Sequence, residues 1–180
     1  MPLVSSTRIY SGRVVNLDLD QVRFPDGSVG TLEMFRHPGA SAVVPFLDDP
    51  ADPDPRVLLI RQFRHAADGF IWEVPAGRLD RDEPPEACAR RELEEETGMV
   101  ADTLERLTTI YTTPGFTDER IHLFLAGGRR PGTERREADE FMELHRTRWS
   151  EALEMVRRGE ITDGKTLACL MCVQCFRRKA

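Results

Sequence analysis

Three glutamates in the segment 92–96 have the spacing of neighbours on a helix. Glu92, Glu95 and Glu96 would project from one helical face, because residues three and four apart lie side by side there. Glu94 would point elsewhere. Carboxylates this close repel one another, and a hard divalent cation such as Mg²⁺, which prefers oxygen ligands, relieves that repulsion. The alternative is a solvated acidic face, which is the commoner meaning of a charge run on a helix.

The flanking residues favour the cation site. From Gly77 to Met99 the sequence fits the pattern G-x5-E-x7-REUxEExGU, in which U is apolar, without a gap. In this pattern the segment resembles the Nudix hydrolases, which cleave a nucleoside diphosphate linked to another moiety. Because so many positions are fixed over so short a segment, the resemblance is specific. It implies an α/β/α sandwich with a mixed sheet.

The resemblance also implies roles for the acidic residues. Glu92 and Glu96 would be the principal ligands of Mg²⁺ or Mn²⁺, and the carbonyl of Ala76 is often a further ligand in the family. Glu95 would support a further metal ion or a water molecule, which makes it a catalytic candidate as well. These residues together predict a metal-dependent enzyme.

Three other residues of the pattern would shape the metal site. Gly77 would let the chain leave its strand in a backbone conformation that residues with a side chain cannot adopt. Arg91 would neutralise and orient Glu83 or a metal-binding carboxylate. The alternative for Arg91 is an ordinary exposed ion pair, which contributes little.

Two further segments resemble the ADP-ribose pyrophosphatase branch of the family. Residues 58–77 contain a Q-x-R strand followed by an E-x-P-A-G turn, and residues 111–126 carry Pro114 in the sequence TTPGFTDE. The resemblance implies hydrolysis of a nucleoside diphosphate sugar, with ADP-ribose giving AMP and ribose 5-phosphate. The alternatives are GDP-mannose or another nucleotide sugar or dinucleotide, and a non-catalytic module that binds a nucleotide metabolite.

The same segments contain the candidate substrate-binding residues. Arg64 is suited to clamp a diphosphate, because a guanidinium pairs with phosphate oxygens in bidentate fashion. By resemblance Glu119 contacts the terminal ribose, and Glu73 supports the turn that follows it. For Arg64 and Glu119 the alternative is an ordinary surface residue. The remaining candidates are Gly77, Arg78, Pro114 and Gly115.

A general base is expected outside the pattern. In the related enzymes it comes from the loop after the PGF strand, which here is READEFMEL, residues 136–144. Glu140 is the first choice. Glu137 and Asp139 remain alternatives, because Ala138 stands where a second acidic residue is often found. A positioned general base typically contributes ~10²–10⁴-fold to the rate.

Three aromatic residues could stack on the base of the substrate. Phe24, Phe35 and Trp72 are candidates, but each is more readily explained as a core residue. The cysteines at 169, 172 and 175 recur along one side of a predicted apolar helix. A metal centre would need a fourth ligand, so small buried side chains explain them better.

The predicted helices follow from turn signals and apolar periodicity. Pro85 suits the first turn of a helix over 85–97, and Gly98 suits the left-handed position just after it. A second helix is expected to begin with Ser150 as its N-cap. A third is expected over 166–178.

The remaining chain is predicted to be rich in strands. Residues 7–36 read as a β-meander, and a boundary near Gly39 separates an N-terminal β-sheet module, 1–39, from a Nudix hydrolase domain, 40–180. By resemblance the module forms a homodimer. Strands and helices alternate irregularly, which indicates the α/β (α+β) class with a mixed sheet. The other strands are predicted over 42–47, 57–63, 70–74, 104–111, 120–126 and 141–149.

Composition excludes several classes of protein. The chain has 180 residues and a net charge of −6, so it lacks the positive charge of a nucleic-acid-binding domain. No apolar stretch approaches the roughly 20 residues of a membrane helix, and no secretion signal is evident. Four cysteines in a chain of this length do not make a disulfide scaffold. A cytoplasmic enzyme without nucleic-acid or membrane partners is expected.

Overall fold

The described residues of the computed structural model are 2–128, 130–135 and 141–177. The helices are α1 (Pro85–Thr97), α2 (Trp149–Arg157) and α3 (Gly164–Phe176). The strands are β1 (Leu3–Ser11), β2 (Asn16–Arg23), β3 (Val29–Arg36), β4 (Ala40–Pro45), β5 (Arg56–Arg64), β6 (Gly69–Glu73), β7 (Ala76–Arg78), β8 (Met99–Val100), β9 (Thr103–Tyr111), β10 (Arg120–Gly127), β11 (Arg130–Pro131) and β12 (Met142–Arg148).

The centre of the molecule is a mixed sheet in the order β7-β4-β10-β9. Strands β4 and β10 are parallel, and the other neighbouring pairs are antiparallel. All of β4 is buried, so both faces of the sheet must be covered. A second, antiparallel sheet in the order β12-β5-β6 lies beside it.

Alternating side chains of the central strands pack into two separate hydrophobic cores, one on each face of the sheet. On one face, Val44 and Leu123 pack with Leu170 of α3. On the other, Val43 and Phe124 belong to the core that contains Ala89 and Leu93 of α1. Because successive strand residues point to opposite faces, helices on both sides are the natural cover for such apolar strands. The predicted α/β/α sandwich with a mixed sheet is confirmed.

Helix α1 has the bounds predicted from the sequence. Pro85 occupies its first turn, and Gly98 follows it with a φ of 65°. The Gly98 N–H donates to the Glu94 carbonyl at 2.8 Å, which closes the last turn. A left-handed residue at this position favours glycine, which has no Cβ to clash. The helix that carries the acidic residues therefore ends where the next strand must begin.

The start of α2 differs from the prediction. Arg148, not Ser150, occupies the N-cap position, and Trp149 is already helical. The Ser150 hydroxyl and N–H both donate to the carboxylate of Asp54, at 3.0 and 2.9 Å. A contact with a residue so distant in sequence replaces the local cap, so the N-cap assignment was wrong. Helix α3 begins at Gly164, two residues earlier than predicted, with Asp163 as its cap.

The predicted N-terminal meander is present as the antiparallel sheet β1-β2-β3. It is attached to the rest of the chain through the end of β3. The Phe35 N–H donates to the Phe116 carbonyl at 2.8 Å, and Arg36 pairs with Asp118 at 3.2 Å.

Among the described residues, the helices are too short or too polar to cross a membrane.

Candidate active site

A cleft of about 990 Å³ lies between α1, the turn from β6 to β7, the ends of β9 and β10, and the start of α3. Clefts of roughly 300–1,000 Å³ are typical of small-molecule sites. Many of the residues predicted from the sequence meet here: Arg64, Ala76, Gly77, Arg78, Arg91, Glu92, Glu95, Glu96 and Glu119.

Other predicted residues in the described part of the chain lie outside the lining of this cleft. Glu73 and Glu83 stand behind it and contact its basic residues. Pro114 and Gly115 lie in the exposed turn before Glu119. Their assignment to substrate binding stays a prediction.

Two carboxylates of α1 lie against the backbone of the turn that begins β7. Glu96 is 3% exposed, and its Oε2 accepts a hydrogen bond from the Ala76 N–H at 3.2 Å. A Cβ on Gly77 would lie only 1.9–2.4 Å from the carboxylate atoms of Glu92. Gly77 does not have a positive φ. The expected backbone reason for this glycine was therefore wrong. The Glu92 carboxylate occupies the space of a side chain at Gly77, so a larger residue there would require Glu92 to move.

Arg91 joins the acidic residues of α1 to Glu83. Its Nε and Nη2 donate to the Glu83 carboxylate at 2.9 and 2.8 Å. Its Nη1 donates to Glu92 at 2.7 Å and to Glu95 at 3.1 Å. The hydrogen bonds to Glu83 are the largest cause of a raised pKa at Arg91, and those to Glu92 and Glu95 raise it further. A permanent cation thus holds three carboxylates in place beside the cleft.

The oxygen-rich donor set fits a hard divalent cation. Among the residues that the structure describes, no three His, Cys, Asp or Glu side chains are grouped as metal ligands. Arg91 Nη1 donates to both Glu92 and Glu95. Glu92 and Glu96 instead meet the backbone at residues 76–77. Mg²⁺ is usually held by one or two carboxylates, with waters and substrate phosphates completing its octahedron. Glu92 and Glu96 would supply the protein's share of such a coordination shell.

Arg64 lines the cleft and is fixed from behind by Glu73. Its Nε and Nη2 donate to the two oxygens of the Glu73 carboxylate, at 2.7 and 2.9 Å. Burial opposes the charge of Glu73, but the hydrogen bond from Arg64 and the charge of Lys165 lower its pKa overall. Glu73 therefore stays ionised and orients the guanidinium that was predicted to bind the diphosphate.

The far end of the cleft combines an aromatic ring with polar groups. Tyr111 lines it, with the guanidinium of Arg120 5.1 Å from its ring centroid. The Thr112 hydroxyl donates to Glu119 at 3.0 Å, and His37 lies 3.3 Å from the same carboxylate. A ring beside hydroxyl and carboxylate groups suits the stacking and hydrogen bonding of a nucleoside or sugar.

The three aromatic residues proposed for base stacking have other partners. Phe24 packs against Gly30, Phe35 forms an edge-to-face pair with Phe116, and Trp72 does the same with His145. Within the described part of the chain, these three rings lie outside the cleft lining.

The predicted cysteine pattern is buried only in part, since Cys169 is buried but Cys175 is exposed.

Several cleft residues carry no sequence signal that would have found them. They come from separate parts of the chain, and only folding brings them to the α1 carboxylates. Arg13, for example, lies in the β1–β2 turn, and its carbonyl accepts a hydrogen bond from Arg78 at 3.0 Å. Among the residues missed are Arg13, Val14, His37, Tyr111, Arg135 and Lys165.

The candidate general bases Glu137, Asp139 and Glu140 lie outside the described residues. The chain just before them is described and is informative. Arg135 lines the cleft, and its N–H donates to the Glu95 carbonyl at 2.8 Å. The residue just before the segment with the three acids is therefore held against the backbone of α1 at Glu95.

The Glu83–Arg91 pair gives a pH-dependent contribution to stability. The hydrogen bond from Arg91 lowers the pKa of Glu83 from 4.5 to about 2. Because the folded-state pKa is depressed, the contribution is present above about pH 4.5 and is lost as pH falls toward 2. Replacing Glu83 with Gln should lower the free energy of unfolding by about 1–2 kcal/mol at pH 7.

Urea unfolding of both proteins between pH 7 and pH 3 checks this expectation. The difference between wild type and Glu83→Gln should shrink as the medium becomes more acidic. A difference that stays constant over this range would mean that the pair does not contribute through the charge of Glu83.

Comparison with known proteins decides the family. The model of the NUDIX domain matches residues 36–168. The chain belongs to the Nudix family. The match includes the whole pattern from Gly77 to Met99, and the family prediction made from that pattern is confirmed. Nudix hydrolases use divalent metal ions, in agreement with the donor set at Glu92 and Glu96.

Individual relatives extend the comparison beyond this domain. The chain is 38% identical over 173 residues to an ADP-ribose pyrophosphatase of Bacillus subtilis, covering 95% of this chain and 91% of that protein. It is 42% identical over 127 residues to a GDP-mannose pyrophosphatase of Salmonella paratyphi B, covering 66% of each. A solved structure described as an ADP compounds hydrolase superposes with a TM-score of 0.81, at 18% identity, over 96% of this chain and 91% of the other. That likeness shows a shared fold.

Proposed function

We propose that this Nudix hydrolase cleaves the pyrophosphate bond of ADP-ribose, giving AMP and ribose 5-phosphate, with Mg²⁺ or Mn²⁺ as its metal ion. The observation that carries the proposal is a single cleft that joins the Glu92 and Glu96 carboxylates to Arg64 and to the polar end at Glu119. A relative that matches nearly the whole chain and is named an ADP-ribose pyrophosphatase supports this substrate.

Different residues of the cleft carry out the separate steps of substrate binding, metal binding and hydrolysis. Arg64 binds the diphosphate, and Glu92 and Glu96 hold the cation. When bound, the divalent cation lowers the pKa of water and neutralises charge on the phosphoryl oxygens. Water attacks one phosphorus, the bond to the bridging oxygen breaks, and the proton of the water passes to a carboxylate base. Tyr111 offers its ring for stacking at the far end of the cleft.

The general base is proposed to be Glu140. Replacing Glu140 with Gln should lower kcat by roughly 10²–10⁴-fold, because the amide cannot accept the proton, while metal affinity is largely kept. Steady-state kinetics and a metal titration of the variant measure the two effects. Glu137→Gln serves as the comparison. If only that variant, or Asp139→Asn, loses turnover, the base lies at the other position in the loop.

The substrate is tested by product analysis. The purified protein with Mg²⁺ is given ADP-ribose or GDP-mannose, and chromatography detects AMP or GMP with the matching sugar phosphate. AMP and ribose 5-phosphate from ADP-ribose, at the higher kcat/KM, support the proposal. Hydrolysis of neither substrate with Mg²⁺ or Mn²⁺ would contradict it.

GDP-mannose is the second candidate because a relative of 42% identity is named for it. Faster release of GMP than of AMP in the same assay would favour that substrate. A non-catalytic nucleotide-binding module is the third candidate. It is disfavoured because Glu92, Glu95 and Glu96 are all present at the cleft. Tight binding of ADP-ribose without turnover would support it.

The N-terminal module, residues 1–39, is proposed to form a homodimer. All of β1 is exposed, including the apolar side chains of Leu3, Val4, Ile9 and Tyr10. An exposed apolar strand of this kind is a typical contact surface between chains.

The hydrolase domain is proposed to be residues 40–180. A reducing, cytoplasmic location is also proposed, because the four cysteines are free thiols.

A further inference from the structure

Arg36, the last residue of β3, lies at the centre of a charged cluster outside the cleft lining. Its Nε donates to Asp18 at 3.1 Å, and its Nη2 donates to Asp20. Both aspartates belong to β2 and are only 5% exposed. Its Nη1 donates to Asp118 at 3.2 Å, 82 residues further along the chain. The guanidinium therefore joins the N-terminal module to the turn that precedes β10.

The backbone reinforces this junction on both sides of Asp118. The Phe35 N–H donates to the Phe116 carbonyl at 2.8 Å, and the Asp118 N–H donates to the Phe35 carbonyl at 3.2 Å. The second carboxylate oxygen of Asp118 accepts from the His37 N–H at 2.9 Å. The turn 116–118 is therefore hydrogen-bonded to the end of β3 through both its backbone and its side chain.

The residue after this turn is Glu119, whose carboxylate lines the cleft. It accepts from the Thr112 hydroxyl at 3.0 Å, and its own N–H donates to the Thr117 hydroxyl at 3.2 Å. A carboxylate is an acceptor for the hydroxyl groups of a sugar. Because a single planar peptide unit joins Asp118 to Glu119, a shift of the first residue moves the backbone of the second.

The carboxylates of the cluster differ in what they need from Arg36. Asp18 and Asp20 are buried, and a buried charge without a cationic partner is strongly destabilising. The side chain of Asp118 is 42% exposed, and an ion pair this exposed contributes little to the free energy of unfolding. The contact between Arg36 and Asp118 therefore acts mainly on where the turn lies.

We propose that Arg36 and Asp118 are positioning residues for sugar recognition. The N-terminal sheet holds the Arg36 guanidinium, the guanidinium holds Asp118, and Asp118 holds Glu119 at the cleft. The assignment rests on the proposed function, since Glu119 recognises a sugar only if the cleft binds a nucleotide sugar. It gives the N-terminal module a part in substrate affinity within its own chain.

Substitution of Asp118 tests this role without leaving a buried charge unpaired. Asp118→Ala removes the acceptor for Arg36 and for the His37 N–H, so KM for ADP-ribose should rise about tenfold while kcat changes less than about twofold. Asp118→Asn keeps an oxygen for the His37 N–H and should recover part of the affinity. In a Glu119→Ala background, Asp118→Ala should raise KM by less than about a further twofold, because it acts through Glu119.

Asp48→Ala is the matched control. Asp48 likewise accepts from both the side chain and the backbone N–H of an arginine, Arg56, but it lies outside the cleft lining. This variant should leave kcat and KM unchanged.

Amide hydrogen exchange of residues 112–119 in the free protein makes the result independent of turnover. Faster exchange in Asp118→Ala than in wild type and Asp48→Ala supports the proposal even if wild type fails to hydrolyse ADP-ribose, which would count against the proposed function alone. Equal exchange in the three proteins overturns the proposal. It is also overturned if the KM effects of Asp118→Ala and Glu119→Ala are additive, or if Asp118→Ala melts at a lower temperature but keeps the KM of wild type.

Discussion

Replacing Glu96 with Gln should lower kcat for ADP-ribose about a thousandfold, which corresponds to about 4 kcal/mol of transition-state stabilisation. Glutamine has nearly the same shape and keeps an oxygen for the Ala76 N–H, which donates to Glu96 at 3.2 Å. It lacks the negative charge that a divalent cation requires. Steady-state kinetics at saturating Mg²⁺, with circular dichroism as a check of the fold, measure the effect.

Glu94→Gln is the matched control on the same helix. Glu94 points away from the cleft, and its carboxylate accepts from the Thr133 N–H at 3.2 Å. The control should retain nearly full activity. Near-normal turnover by Glu96→Gln would refute its role as a metal ligand, and equal losses in both variants would indicate a general effect of helix charge.

A methyl group at Gly77 should be nearly as damaging as loss of the charge. The new Cβ would lie 1.9–2.4 Å from the Glu92 carboxylate, so either that side chain or the turn must move. Misplacement of a catalytic group by about 1 Å can cost about a hundredfold in rate, and kcat/KM of Gly77→Ala should fall at least that much. Kinetics with ADP-ribose and Mg²⁺ give this value.

Gly69→Ala is the control for the Gly77 substitution. Gly69 has open space where its Cβ would lie and no positive φ, so the same chemical change should leave kcat/KM within about twofold of wild type. If Gly77→Ala is as active as Gly69→Ala, the close approach of Glu92 to the backbone does not matter for the reaction.

Helix α1 and the acidic face at its end could be predicted in full from the sequence. The signals are local: Pro85 in the first turn, Gly98 in the left-handed position, and glutamates with helical spacing between them. Each acts within a few residues, so neither tertiary packing nor distant partners are needed to recognise it. The spacing from Gly77 to Met99 then identified the family.

Features that depend on contacts between residues far apart in the chain could not be predicted from the sequence. Ser150 has the residue type of an N-cap, but Asp54 takes up its hydroxyl and N–H, and the helix starts earlier. Lys165 lies 92 residues from Glu73 along the chain, and only the packing of α3 brings them together. Tyr111 likewise enters the cleft through the pairing of β9 with β10.

Gly77 shows a prediction that had the right residue and the wrong reason. Glycine suggested an unusual backbone, whereas the structure shows an approach of Glu92 that a side chain would block. Both causes favour glycine, and sequence alone does not separate them. The distinction matters for experiment, because a clash with Glu92 predicts a direct effect on the metal site.

Binding of Mn²⁺, followed by electron paramagnetic resonance, tests the central role of the α1 carboxylates most directly. Wild type and Glu94→Gln should take up the ion with the same affinity, and Glu96→Gln should bind it at least about tenfold more weakly, because one anionic ligand is lost. Equal Mn²⁺ affinity in wild type and Glu96→Gln would contradict the assignment of this helix face as the metal site.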